Sequence, residues 1–174
     1  MHARRRSLLG CVAATVLIAA TAAVVVAADL PAELTRALET SRYVYIATAR
    51  KTGGYGAPAE IWFMYDQGAV WVASPPTTWR VKRIRAGRRT ARIAVGAKDG
   101  PSFTATGSLV RDPAVYERLF ATFAKKYPEG WRQYESRFRA GLNDGSRVLI
   151  RYAPATPGAS VSPASESPRP SPGR

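Results

Sequence analysis

Hydrophobic and polar positions recur along residues 29–153 in short segments that read as separate elements. Leu30, Leu34, Ala37 and Leu38 return at helical spacing, with Pro31 suited to a first turn, and predict a short helix over residues 31–40. Tyr43 to Ala49 is β-branched and aromatic and predicts a strand, followed by a turn from Lys51 to Gly56. Ala59 to Tyr65 and Ala69 to Ala73 predict two more strands joined at Asp66-Gln67-Gly68, with Pro75-Pro76 stopping the second. Residues 77–87 read as a short helix. Arg92 to Ala97 and Phe103 to Val110 read as strands separated by a turn at residues 98–101. Asp112-Pro113 is an N-cap and first-turn pair opening a helix whose Val115, Leu119, Phe120 and Phe123 share one apolar face. A second short helix carries Trp131, Tyr134 and Phe138, and residues 146–152 close the pattern as a sixth strand.

Six strands, a helix inserted among them and helices before the last strand predict an α+β domain built on antiparallel pairing. A closed or half-closed six-stranded barrel with short flanking helices is the economical way to hide the strand edges. About 125 residues, 29–153, support one such core.

Both ends fall outside this pattern. Arg4-Arg5-Arg6 precedes Leu8 to Ala28, 21 residues without a charge, long enough to cross a bilayer at ~1.5 Å rise per residue. The segment reads either as a signal peptide, with small residues at Val26-Ala27-Ala28, or as an uncleaved anchor. Either reading puts the domain outside the cytoplasm. Arg5-Arg6-Ser7-Leu8-Leu9 also fits the twin-arginine export pattern. Residues 154–174 hold six prolines among Ser and Gly and read as a disordered tail.

Composition removes much chemistry. The only histidine is His2 and the only cysteine Cys11, both in the N-terminal segment. The domain therefore has no Cys/His zinc site, no Ser–His–Asp triad, no cysteine nucleophile, no histidine-ligated haem and no disulfide. No metal site is expected. Carboxylates, Lys, Tyr, Ser/Thr or a bound cofactor are what remain.

The charge is strongly positive, +14 formally for the whole chain, and it is concentrated. Arg80, Lys82, Arg83, Arg85, Arg88, Arg89 and Arg92 lie within 15 residues that contain no acid. Such a run serves as a solvated face, binds nucleic acid, or holds an anionic ligand. No nucleic-acid recognition motif accompanies it, and an exported domain rarely meets nucleic acid. Thr77, Thr78 and the first amides of the short helix, with Arg80 and Lys82, suit a phosphate.

The order Pro58-Ala-Glu-Ile-Trp-Phe-Met-Tyr65, Gly68-Ala-Val-Trp-Val-Ala-Ser74, Thr78-Trp-Arg-Val-Lys-Arg-Ile-Arg85 and Ala91-Arg-Ile-Ala-Val95 resembles the pyridoxamine 5′-phosphate oxidase-like superfamily. The nearest resemblance is to its small, probable deazaflavin-dependent members, which share the Trp-basic-x-Lys-Arg-apolar-Arg run. It extends from Tyr43 to Tyr152. It implies an FMN-binding-type split barrel, a homodimer with cofactor clefts at the subunit interface, and FMN or a deazaflavin as cofactor. It further implies an oxidoreductase passing hydride to a small substrate, for which no catalytic side chain is assigned. The matching phosphate positions are Thr78, Arg80, Lys82 and Arg83. The ring is expected along Glu60, Ile61, Trp62 and Phe63, with Trp131 as a cover. The histidine and arginine signature that grips pyridoxal phosphate in true pyridoxamine phosphate oxidases is absent, so vitamin B6 oxidation is not expected.

Individual residues carry plainer expectations. The four tryptophans read mainly as core or interface residues. Glu60 is expected to pair with an arginine, and Tyr43 and Tyr45 share a strand face. Lys125 and Lys126 end a helix, where cations suit the macrodipole without any ligand. The competing class is a non-catalytic barrel that sequesters a flavin or another anionic ligand. A basic domain adhering to anionic envelope polymers is the third.

Overall fold

The computed structural model describes residues 30–155. The proposed leader or anchor and the Pro/Ser-rich tail lie outside the described residues, among which no helix is long and apolar enough to cross a membrane. The chain runs α1 (Ala32–Thr40), β1 (Val44–Thr48), β2 (Ala59–Ile61), β3 (Met64–Asp66), β4 (Ala69–Ser74), α2 (Trp79–Arg85), β5 (Thr90–Val95), β6 (Ser102–Val110), α3 (Pro113–Lys126), α4 (Pro128–Asp144) and β7 (Val148–Pro154).

The seven strands form one sheet in the order β2-β1-β5-β6-β7-β4-β3, antiparallel throughout. Its first and last strands are consecutive in the chain, separated only by Trp62 and Phe63. Two residues cannot cross a flat sheet of seven strands spaced ~4.8 Å apart, so the sheet curls to bring its two edge strands near each other without pairing them. The α+β antiparallel barrel expected from the pattern, in the split form that the resemblance implies, is the observed architecture.

Two expectations require correction. Residues 59–65 are not one strand: the backbone leaves the ladder at Trp62-Phe63, giving β2 and β3 on opposite edges and seven strands where six were expected. A continuous apolar run hides such a break, because both halves are buried for different reasons. The second C-terminal helix is not short but spans 17 residues, closed by Gly145 in the left-handed conformation. Its polar positions face solvent and masked its length.

Local chemistry accounts for the remaining boundaries. Asp112 accepts hydrogen bonds from the Ala114 and Val115 amides, capping α3. Gln67 and Gly68 link β3 to β4 with φ of 51° and 67°, the double positive pair of a tight hairpin. Glycine takes that conformation freely, whereas Gln67 does so at some strain.

Each face of the sheet has its own core. Inside the barrel, Leu38, Val44, Ile46, Val70, Val72, Ile93 and Ile150 pack with Phe63, Val81, Ile84 and Tyr152. On the outer side, α3 and α4 press Val115, Leu119, Phe120, Phe123, Tyr127, Trp131 and Phe138 against Trp71 and Leu149. Leu149 and Ile150 are both fully buried, since β7 is covered on both faces. Tyr127 links the layers: its hydroxyl donates to the Arg42 carbonyl at 2.7 Å and accepts from the Phe63 amide at 3.1 Å.

Candidate functional site

The basic run folds into α2, and helical spacing divides it. Val81 and Ile84 turn into the barrel, Lys82 and Arg85 turn to solvent, and Arg80 and Arg83 lie between. Both of these guanidiniums line a cavity of about 350 Å³ together with Thr48, Gly56, Ala59, Thr78 and Trp79.

Each is held by neutral partners. Arg80 Nη1 donates to Ser74 Oγ at 2.9 Å, and Arg83 Nη1 donates to both the carbonyl and the hydroxyl oxygen of Thr48 at 2.7 Å. A Cβ on Gly56 would come within 2.8 Å of Arg83 Nη1, so the absence of a side chain there lets the loop close on the guanidinium. Among the described residues the ion pairs are Arg118–Asp66, Arg139–Glu117 and Arg139–Glu135, none of them here. Burial lowers the pKa of Arg80, opposed by neighbouring Tyr152, but an arginine so placed stays charged at neutral pH. Thr78 does not cap α2; its hydroxyl donates to the Pro75 carbonyl at 2.9 Å. No side chain caps the helix start, which leaves its first amides available.

Behind Arg80 lies a polar defect. Tyr152 is fully buried, yet its hydroxyl has no hydrogen-bond partner among the described residues. Burial pushes its pKa up to about 12, with Arg80 pulling the other way. Two guanidiniums without a carboxylate partner among the described residues make this pocket electropositive, which fits a phosphate or similar anion.

The other residues singled out in the sequence separate. Glu60, Ile61 and Trp62 line a second cavity of about 210 Å³ with Tyr43, Ala73 and Phe138. Ala59 and Glu60 thus serve different cavities, as successive residues of a strand point to opposite faces. Phe63 is fully buried in the barrel wall, and Lys82 lies outside both cavities, 5.3 Å from the exposed Trp79 ring. Trp62 stacks on Tyr127 at 4.5 Å with the planes 4° apart.

Two roles change. Among the described residues Glu60 forms no arginine pair; the β1–β2 register sets it opposite Tyr45, whose hydroxyl donates to its carboxylate at 2.5 Å and is thereby raised in pKa. Trp131 covers no cleft: it is buried against Phe120, Phe123 and Phe138. Ser74, Thr48, Gly56 and Tyr152 were not legible as site residues, because each reads as an ordinary strand or turn position.

No family model matches the sequence, and no curated protein matches it significantly. Solved structures do match. A conserved hypothetical protein from Mycobacterium tuberculosis, Rv2991, is 16% identical with a TM-score of 0.54, over 80% of this chain and 96% of its own. HutZ, the heme storage protein of Vibrio cholerae, is 16% identical with a TM-score of 0.52, over 74% and 92%. A candidate pyridoxamine 5′-phosphate oxidase from Listeria innocua gives 16% and 0.52, over 71% and 92%. The fold is the split barrel of the pyridoxamine 5′-phosphate oxidase-like proteins.

Proposed function

We propose that this chain is an oxidoreductase that binds FMN or a deazaflavin and passes hydride to a small substrate. The observation that carries the reading is the pocket beside α2, where Arg80 and Arg83 converge with no carboxylate to neutralise them. Such a pocket is electrostatically incomplete until an anion enters, and the cofactor's phosphate is the expected anion. In this reading Arg80, Arg83 and Thr78 hold the phosphate, and Lys82 adds charge from outside. Glu60, Ile61, Trp62 and Phe63 border the ring through their main-chain groups. The bound ring supplies the hydride chemistry, so a domain without histidine or cysteine needs only to orient the reactants.

A homodimer belongs to the same proposal. Trp79 is 71% exposed at the mouth of the pocket, an unusual exposure for so large a ring, and a second copy is the expected cover. The N-terminal apolar segment makes the domain an exported or membrane-tethered one.

One observation favours a different reading, a module that holds an anionic ligand without turnover: no acid or histidine lines the pocket. One experiment addresses both. The full chain in detergent is titrated with FMN and with a deazaflavin by fluorescence, then tested for turnover of the bound cofactor. Arg80→Ala should weaken binding roughly 10- to 100-fold, as expected for losing a hydrogen bond to a charged group of about 1.5–3 kcal/mol. Binding without turnover favours the module; no binding of either cofactor overturns the proposal.

A further inference from the structure

A third cavity, about 490 Å³, lies between the end of α1, β3 and the end of α3, away from α2. Leu38 and Tyr65 give it an apolar side, and Glu39, Arg42, Lys125 and Lys126 give it three cations against one acid. The helix end explains Lys125, which is exposed to solvent near the α3 carbonyls. It does not explain Lys126. That side chain turns back over the barrel wall, its Nζ 3.4 Å from the centre of the buried Phe63 ring and 5.9 Å from that of Tyr127. Among the described residues no carboxylate pairs with it, although Glu39 lines the same cavity.

A lysine attacks a carbonyl only through its neutral amine, and two features favour such an attack here. The nitrogen is half-buried, and burial pushes its pKa down to about 8. At pH 7 roughly a tenth of such amines are neutral, against about one in three thousand at the ordinary 10.5. The Phe63 face attracts the ammonium form and so opposes this, but among the described residues no carboxylate adds to that pull. Finally, the cavity gives a reactant room beside the amine, and Arg42 and Lys125 supply charge opposite to a carboxylate or phosphate. The titratable groups facing Lys126 are thus Glu39 from α1, Arg42 from the following loop, Tyr65 from β3, and Lys125 and Tyr127 from its own segment.

We propose that Lys126 is a nucleophilic amine that captures a small anionic aldehyde or keto acid as an imine in this cavity. The amine lone pair forms the C–N bond to the carbonyl carbon. The carbonyl oxygen leaves as water, taking both amine hydrogens, so no oxidant or reductant is consumed. The lining of this cavity shares no residue with the pocket beside α2, although the Phe63 ring under Lys126 belongs to the stretch assigned above to the cofactor ring, and the imine step consumes no cofactor.

The full chain carries five lysines, which allows each to be followed separately. It is incubated at pH 7 with glyoxylate and cyanoborohydride, which reduces the imine to a stable secondary amine, and each lysine is quantified by peptide mass mapping. Lys126 should be labelled at least ten times faster than Lys51, Lys82, Lys98 or Lys125, with a rate rising to a plateau above about pH 8. Lys125→Gln and Arg42→Gln should slow labelling by glyoxylate several-fold and leave labelling by neutral acetaldehyde unchanged. Comparable rates at all five lysines, or Lys126 as the slowest, overturn the proposal in the unmodified chain, whatever the variants do. Unchanged glyoxylate selectivity in both variants overturns the anionic part of it.

Discussion

The two cores of this domain treat polar groups differently. The outer layer under α3 and α4 is dominated by aromatic rings, and the polar tips of its deepest ones are satisfied: Tyr127 bonds to Arg42 and Phe63, and Trp71 Nε1 donates to the Asp66 carbonyl at 3.0 Å. The barrel interior is mainly aliphatic, yet it contains an unpartnered tyrosine hydroxyl beside a guanidinium held only by Ser74. A layer that only has to hold together completes its hydrogen bonds. The tyrosine's incompleteness sits behind Arg80, one of the two guanidiniums that line the cavity beside α2.

The largest effect should come from breaking the outer layer. Phe123 makes edge contacts with Trp62, Tyr127, Trp131 and Phe138, and Phe123→Ala should cost about 3–5 kcal/mol in urea denaturation. A sharper comparison removes the same oxygen from each core. Tyr127→Phe strands the Phe63 amide and the Arg42 carbonyl and should destabilise by about 1–3 kcal/mol. Tyr152→Phe removes an atom that bonds to nothing and should leave the midpoint unchanged or raise it slightly. Equal losses in the two variants would mean that the two layers do not differ in this way.

Alkaline pH probes the same pair. Tyr127 and Tyr152 both have pKa values raised by burial, Tyr152 to about 12, so the folded state keeps their protons longer than the unfolded chain. Their contribution is fully present below about pH 10 and is lost as pH rises through the folded values. Lys126, lowered to about 8, has the opposite sign: its contribution is present above the unfolded value and is lost as pH falls through 8. Denaturation curves from pH 7 to 12 should show both slopes, with the alkaline one shallower in Tyr127→Phe. The smallest effect is at the surface. Glu60→Gln should return the Tyr45 pKa toward 10, read by tyrosinate absorbance, and change stability little, since the pair is exposed.

The fold was largely legible in the sequence because periodicity, proline stops and the Asp112 cap are local signals. The break at Trp62-Phe63 was not, because an apolar run does not reveal which neighbour buries each residue. In the site, the charges of Arg80 and Arg83 stood out, whereas their supports did not. Thr48 and Tyr152 come to α2 only through the long-range closure of the barrel, Ser74 reads as the plain end of a strand, and Glu60 was misassigned because its partner was fixed by register with Tyr45.

The two-residue link between β2 and β3 also bears on how the protein behaves when crowded. Each of the sheet's two borders is a strand of only three residues, and both are tethered to the same short span. Such stubs offer an incoming chain little to zip onto, so the barrel is protected against strand-by-strand polymerisation by its connectivity as well as by its positive charge.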